Sequence, residues 1–163
     1  MDQQLATVTP PLGTPTLEVA GQGVDVLVAR QPIFGLGNRL AGYELLYRNN
    51  AAVNRASGAG PHLMSTEVFL HAVLDFGLDS LVGRAPAFLN FTRDALLDGR
   101  YRMLDPARVV IELLEHVEPD DEVFESCRRM HQAGYRIALD DFVHDERWDR
   151  FLPLVEIVKV DVL

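Results

Sequence analysis

The chain has 163 residues, of which 48% are hydrophobic and 24% charged. That is the balance of one soluble globular domain with a real core. Fifteen Lys and Arg against 24 Asp and Glu give a net charge of −9, which argues against a general nucleic-acid binder and against docking on anionic lipid. It leaves divalent cations open, because carboxylates are hard-cation ligands. A single cysteine excludes an internal disulfide framework and a cysteine-rich zinc site. No signal peptide or membrane-spanning run is read from the sequence, so the expected compartment is the cytoplasm.

Residues 1–23 read as a flexible N-terminal tail, because Pro10, Pro11, Gly13, Pro15, Gly21 and Gly23 interrupt any regular element. The domain proper is expected over 24–163. VDVLVARQPIF (24–34) reads as a strand, GLGN as a turn, and LAGYELLYR (40–48) as a second strand antiparallel to the first. Residues 61–82 carry helical spacing, with Leu63, Val68, Leu70, Val73, Leu74, Leu78 and Leu81 on one face. APAFLNFT (85–92) is a strand, Asp94 to Arg100 a short helix or turn, and RVVIELLEH (108–116) a strand. Pro119 and the acids Asp120, Asp121 and Glu122 open a helix that runs to Gly134. YRIALDDFV (135–143) is a strand, Glu146 to Leu154 a short helix, and EIVKVDVL (156–163) the last strand. Such alternation predicts an α/β fold with a mostly parallel sheet.

Polar residues recur near the C-terminal ends of these strands, where α/β folds build their sites. They are Glu44, Asn90, Glu112, Asp140, Asp141, Lys159 and Asp161. Lys159 and Asp161 are two apart and share a face, as do Phe88 and Asn90. An apolar interior giving way to Glu, Asn and Asp describes an oxygen-ligand site for one or two hard cations. The plainer alternative for each residue taken singly is a solvated strand end. The five histidines show no metal-ligand spacing, and Cys127 reads as an idle thiol in a helix. Trp148, with Phe151 and Leu152, has the spacing of a core cluster, with an interface anchor as the alternative.

Six of these strings, in order, resemble the EAL domain, the cyclic di-GMP phosphodiesterase fold of bacteria. QPIF (31–34) is similar to its QPI signature. ELLYR (44–48) is similar to its E-A-L-x-R motif with Leu45 for alanine, and FLNFT (88–92) to its asparagine strand. IELLE (111–115) is similar to E-x-T-E with Leu114 for threonine, DDF (140–142) to D-D-F-G, and VKVD (158–161) to K-x-D. VARQPIF followed by GYELLYR resembles most the EAL-type half of proteins that join an EAL-like domain to an HDOD domain.

The resemblance implies an incomplete TIM-type barrel of about six strands whose first strand is antiparallel. It implies Glu44, Asn90, Glu112 and Asp140 as ligands of a first Mg²⁺ or Mn²⁺ ion, and Asp141 and Asp161 as ligands of a second. Lys159 would act on the attacking water and Glu44 would be essential to catalysis. Gln31 and Arg48 would contact cyclic di-GMP, Arg48 through a phosphate.

Three departures turn the expectation away from catalysis. Val143 replaces the glycine after D-D-F, and HDERWDRF stands where a Gly/Ser-rich loop belongs. The last two βα units are not represented, and the usual helix before the first strand is replaced by the tail. The expected module is therefore a degenerate EAL-type domain that binds nucleotide or a protein partner. A protein partner or a second copy would dock through an open barrel edge or the 143–154 segment. A metal-dependent phosphodiesterase is the alternative.

Overall fold

The computed structural model describes the backbone of residues 4–8, 16–21, 24–49, 70, 73–74, 77–142 and 145–161, and the side chains of 28–46, 70, 73–74, 77–142 and 145–160. The described residues form eight strands: β1 (Gln4–Val8), β2 (Thr16–Gly21), β3 (Val24–Gly35), β4 (Arg39–Asn49), β5 (Ala87–Phe91), β6 (Val109–Leu113), β7 (Arg136–Leu139) and β8 (Ile157–Asp161). β3 and β4 form the expected antiparallel hairpin, in register from Val26↔Asn49 to Gly35↔Arg39. Its turn is a single 3-10 turn at Leu36–Asn38, where Gly37 and Asn38 take φ of 73° and 56°. From β4 onward all neighbours are parallel, in the order β4-β5-β6-β7-β8. The chain is thus an incomplete TIM-type barrel with its hairpin strand antiparallel, as read from the sequence.

The crossovers are short. α1 (Leu78–Val82) precedes β5, α2 (Arg93–Leu97) and a 3-10 turn precede β6, and α3 (Asp121–Gln132) precedes β7. Of the helix expected over 61–82, Leu70, Val73, Leu74 and α1 are helical, and most of the remainder lies outside the described residues. The Asp120 side chain caps α3 by accepting the Val123 N–H at 2.8 Å, and Asp121 and Glu122 fill the first turn. The helix expected over Glu146 to Leu154 is two 3-10 turns, Glu146–Trp148 and Leu152–Leu154. Pro153 explains the break, since it donates no backbone hydrogen bond.

The N-terminal tail requires a correction. Two stretches of it are strands. β2 pairs antiparallel with the first half of β3, from Thr16↔Ala29 to Gly21↔Val24. β1 pairs parallel with all of β8, from Gln4↔Ile157 to Val8↔Asp161, and antiparallel with β3 at Thr7↔Phe34 and Val8↔Ile33. β1 therefore joins the two ends of the sheet, and the edge expected to be open is occupied. The prolines and glycines punctuate this segment correctly, but the residues between them, LATV and TLEVA, are β-branched or apolar except for Glu18 and suit a sheet.

Two cores result from strand alternation. Outside the barrel, Leu89, Phe91, Val109, Ile111, Leu113, Ile137 and Leu139 pack against helix residues Leu96, Val123, Cys127 and Met130. Inside, Ile33, Phe88, Val110, Ala138 and Ile157 form one apolar layer. Gly42 completes it. A Cβ at Gly42 would stand 2.6 Å from the Phe88 ring and 2.6 Å from the Pro86 carbonyl oxygen, so the ring fills the space a side chain would need. Among the described residues no helix is long and apolar enough to cross a membrane.

Candidate functional site

Two residues along from the apolar layer, toward the C-terminal ends of the parallel strands, the interior positions of β3 to β8 are polar. Phe88 is followed by Asn90, Val110 by Glu112, Ala138 by Asp140 and Ile157 by Lys159, while Gly42 leads to Glu44. On β3, which runs the other way, Ile33 leads back to Gln31. The period-two alternation of strands makes this layer automatic once the apolar layer packs.

Lys159 is the centre of the layer and is 3% exposed. Its Nζ lies 2.9 Å from Glu44 Oε2, 2.8 Å from Glu112 Oε1 and 2.8 Å from Asp140 Oδ1. The Asn90 amide donates to the other Glu44 oxygen at 2.8 Å. Glu112 is fully buried. Although its Oε1 is within ion-pair distance of Nζ, neither of its oxygens is aligned with a hydrogen-bond donor, and Asn90 Oδ1 has none either.

Burial pushes the Glu112 carboxyl up to about 8; the Lys159 charge opposes the rise, and the charges of Glu44 and Asp140 add to it. Burial works against the Lys159 ammonium, but attraction to Glu112 and Glu44 and the contacts with Asp140 and Glu112 outweigh it. Its pKa is therefore held above the ordinary lysine value.

The sequence-derived residues divide as follows. Glu44, Asn90, Glu112, Asp140 and Lys159 converge. Gln31 is in register with Glu44 and so shares its face, and is partly buried. Asp141 is exposed and takes a left-handed φ of 44°. The side chains of Arg48 and Asp161 lie outside the described residues. Gly42 was not singled out by sequence reasoning, although a glycine inside a strand signals a close approach.

Beside the Lys159 centre, a cleft of about 340 Å³ opens between the ends of β6 and β7. Leu113, Leu139, Phe142 and Trp148 wall it, and Glu115, Asp140 and Asp141 edge it. Trp148 is a core residue, 8% exposed, with its ring centroid 4.9 Å from that of Phe151 and 6.2 Å from that of Phe142. Cys127 is buried and its thiol is pushed up to about 12 by that burial, which makes it inert.

No protein-family model matches the chain. Individual proteins do. The cyclic di-GMP phosphodiesterase CdgJ of Vibrio cholerae serotype O1 is 36% identical over 141 residues, covering 83% of this chain and 32% of that protein. The uncharacterized protein YuxH of Bacillus subtilis is 29% identical over 143 residues, covering 85% and 35%. The chain thus spans about a third of the length of these curated relatives.

Among solved structures, Klebsiella pneumoniae BlrP1 in a calcium and cyclic di-GMP complex superposes with a TM-score of 0.59 at 20% identity, over 90% of this chain and 43% of that one. Bacillus subtilis YkuI, described as having an EAL domain and solved with cyclic di-GMP and calcium, gives 0.52 at 21%, over 84% and 41%. The EAL enzyme Bd1971 gives 0.55 at 14%, over 83% and 46%.

The fold is EAL-like. The matched portion amounts to less than half of each of these EAL-containing chains. The interior polar layer of this EAL-like domain is where the resemblance sets its metal ligands. Among the described residues no three Asp, Glu, His or Cys side chains are arranged as they stand to hold an ion, and the Lys159 ammonium stands among the carboxylates instead. The donor chemistry does fit a hard divalent cation, because Glu112 and Asn90 present buried oxygens without hydrogen-bond donors. An ion taking these oxygens competes with the ammonium for them.

Proposed function

We propose that this EAL-like domain is a cyclic di-GMP binding module of bacterial signalling, one that holds the nucleotide without opening it. One observation carries the reading. The carboxyl groups of Glu44, Glu112 and Asp140 meet around the Lys159 ammonium, with Asn90 on Glu44, as a first cation site would need, while Asp141, a ligand a second site would need, is exposed. A two-ion displacement needs both sites. One site suffices to hold a phosphate.

Glu44, Asn90, Glu112 and Asp140 would hold Mg²⁺ or Mn²⁺, which when bound supplies positive charge for phosphate oxygens. Lys159 balances part of the carboxylate charge and brings a second cation to the same mouth. Gln31 offers an amide on the face shared with Glu44 for a ribose or base edge, and Arg48 a guanidinium for a phosphate. The domain comprises residues 24–163, extended by the strands that precede it. It works in the cytoplasm with a second copy or another protein as partner. What supports the signalling assignment is the EAL-like fold together with the named relatives, which are bacterial.

The second reading is a metal-dependent phosphodiesterase releasing the linear dinucleotide. It is favoured by the presence of Glu44, Asn90, Glu112 and Asp140 in one layer and by the likeness to CdgJ. Incubating the chain with cyclic di-GMP and Mg²⁺ or Mn²⁺, followed by chromatography of the bound and free nucleotide, separates the two. Retention of intact cyclic di-GMP is expected. Linear product that disappears in Glu44→Ala establishes the phosphodiesterase, and neither retention nor product overturns both.

A further inference from the structure

β1 has no partner close to it in sequence: it pairs with β8 on one side and with the last residues of β3 on the other. Nothing in its local sequence ties it to its own chain through a hairpin. It shares an edge of β3 with β2, yet the two do not form one continuous strand. Between Val8↔Ile33 and Thr16↔Ala29, β3 advances by Arg30, Gln31 and Pro32, whereas the N-terminal segment has seven residues, 9–15. Pro10, Pro11 and Pro15 fall in that link and have no N–H to donate to a ladder. The link is therefore longer than the gap it crosses and is poorly suited to strand pairing. β1 can leave its place without disturbing the pairing of β2.

The place β1 occupies is a slot one strand wide. Vacating it exposes the edge of β8, where Val158 and Val160 alternate with Lys159, and the edge of β3 at Ile33 and Phe34. Two such edges are strongly driven to re-pair. We propose that this seam is a strand-accepting site whose exchangeable occupant is β1 of a second copy, giving a reciprocal strand-exchanged dimer. Every backbone hydrogen bond made in cis is remade in trans, so the two forms differ mainly in effective concentration. For a link of a few residues that is on the order of millimolar, so exchange is favoured as protein concentration approaches that range. The inference is independent of what the polar layer binds.

The test uses the full chain. Thr7 and Val160 are in register, and Val160 is 45% exposed, so it tolerates replacement. A Thr7→Cys chain carrying a mass tag and an untagged Val160→Cys chain are unfolded together at high concentration, refolded and oxidised. Cys127, buried and pushed up to about 12, does not compete. The expected result on a non-reducing gel is a mixed disulfide dimer whose yield rises with protein concentration. It should exceed the yield from Thr7→Cys paired with Met103→Cys, a site 48% exposed on another part of the domain. A yield no greater than that control overturns the proposal, provided Thr7→Cys and Val160→Cys in one chain close within the monomer. If that double variant fails to close, the seating of β1 is itself overturned. The pair Leu5→Cys and Val158→Cys, also in register, gives the same reading should the first pair misfold.

Discussion

Lys159 Nζ donates a hydrogen bond to Glu44 Oε2 at 2.9 Å, joining residues 115 apart in sequence. This contact ties the hairpin strand β4 to the last strand β8 across the barrel interior, and both residues are buried. The same ammonium lies against Glu112 and Asp140, so one lysine meets three carboxyl groups.

Removing that lysine leaves buried acids without a counter-charge. Lys159→Met is expected to lower stability by about 3–5 kcal/mol, the usual penalty for breaking a buried ion pair. A urea titration measures it, and Mg²⁺ is expected to restore part of the loss in the variant. An unchanged urea midpoint would show that the ammonium is not the counter-ion of this layer.

Glu112 makes stability depend on pH. Its carboxyl is pushed up to about 8 in the folded chain from an ordinary value of 4.5. Below the ordinary value the folded and unfolded chains are both protonated there. Between the two values only the folded chain keeps the proton, so its contribution declines as pH rises and is lost above about 8. The wild type is expected to lose more stability from pH 5 to pH 8 than Glu112→Gln, which stays neutral throughout. Urea midpoints at the two pH values test this, and equal slopes would refute it.

Gly42→Ala should disrupt the apolar layer beneath the site. The added methyl meets the fully buried Phe88 ring and the Pro86 carbonyl oxygen, both at 2.6 Å. A loss of about 1–3 kcal/mol is expected from overpacking. Replacing Phe88 with Leu in the same chain should recover part of it, because the two changes share one space. Strictly additive thermal shifts would argue against that contact.

Trp148 is the single tryptophan of the chain. Packed between Phe142 and Phe151 and 8% exposed, it should emit at short wavelength in the native state and shift to the red on unfolding. Emission already at the wavelength of a solvated indole would place it at the surface, as the interface-anchor alternative requires.

The six barrel strands were legible because their apolar residues alternate with polar ones near the strand ends. That same alternation brings Glu44, Asn90, Glu112, Asp140 and Lys159 onto one layer. What the sequence could not show was the pairing within the layer, since Lys159 draws its partners from β4, β6 and β7. β1 and β2 were missed for a different reason. Prolines and glycines mark where strands end, but they do not exclude short strands between them, and β1 is specified by distant edges rather than by its own pattern. Asp141 follows Asp140 just beyond the end of β7, where a left-handed turn leaves it exposed, a conformation its sequence neighbours do not announce.

The central claim is that the polar layer is a cation-assisted cyclic di-GMP site. Calorimetric titration of the full chain with cyclic di-GMP in Mg²⁺, alongside Asp140→Asn, tests it most directly. The account predicts a saturable heat for the wild type that weakens without Mg²⁺ and is lost in the variant. A flat titration of the folded wild type in Mg²⁺ would contradict it.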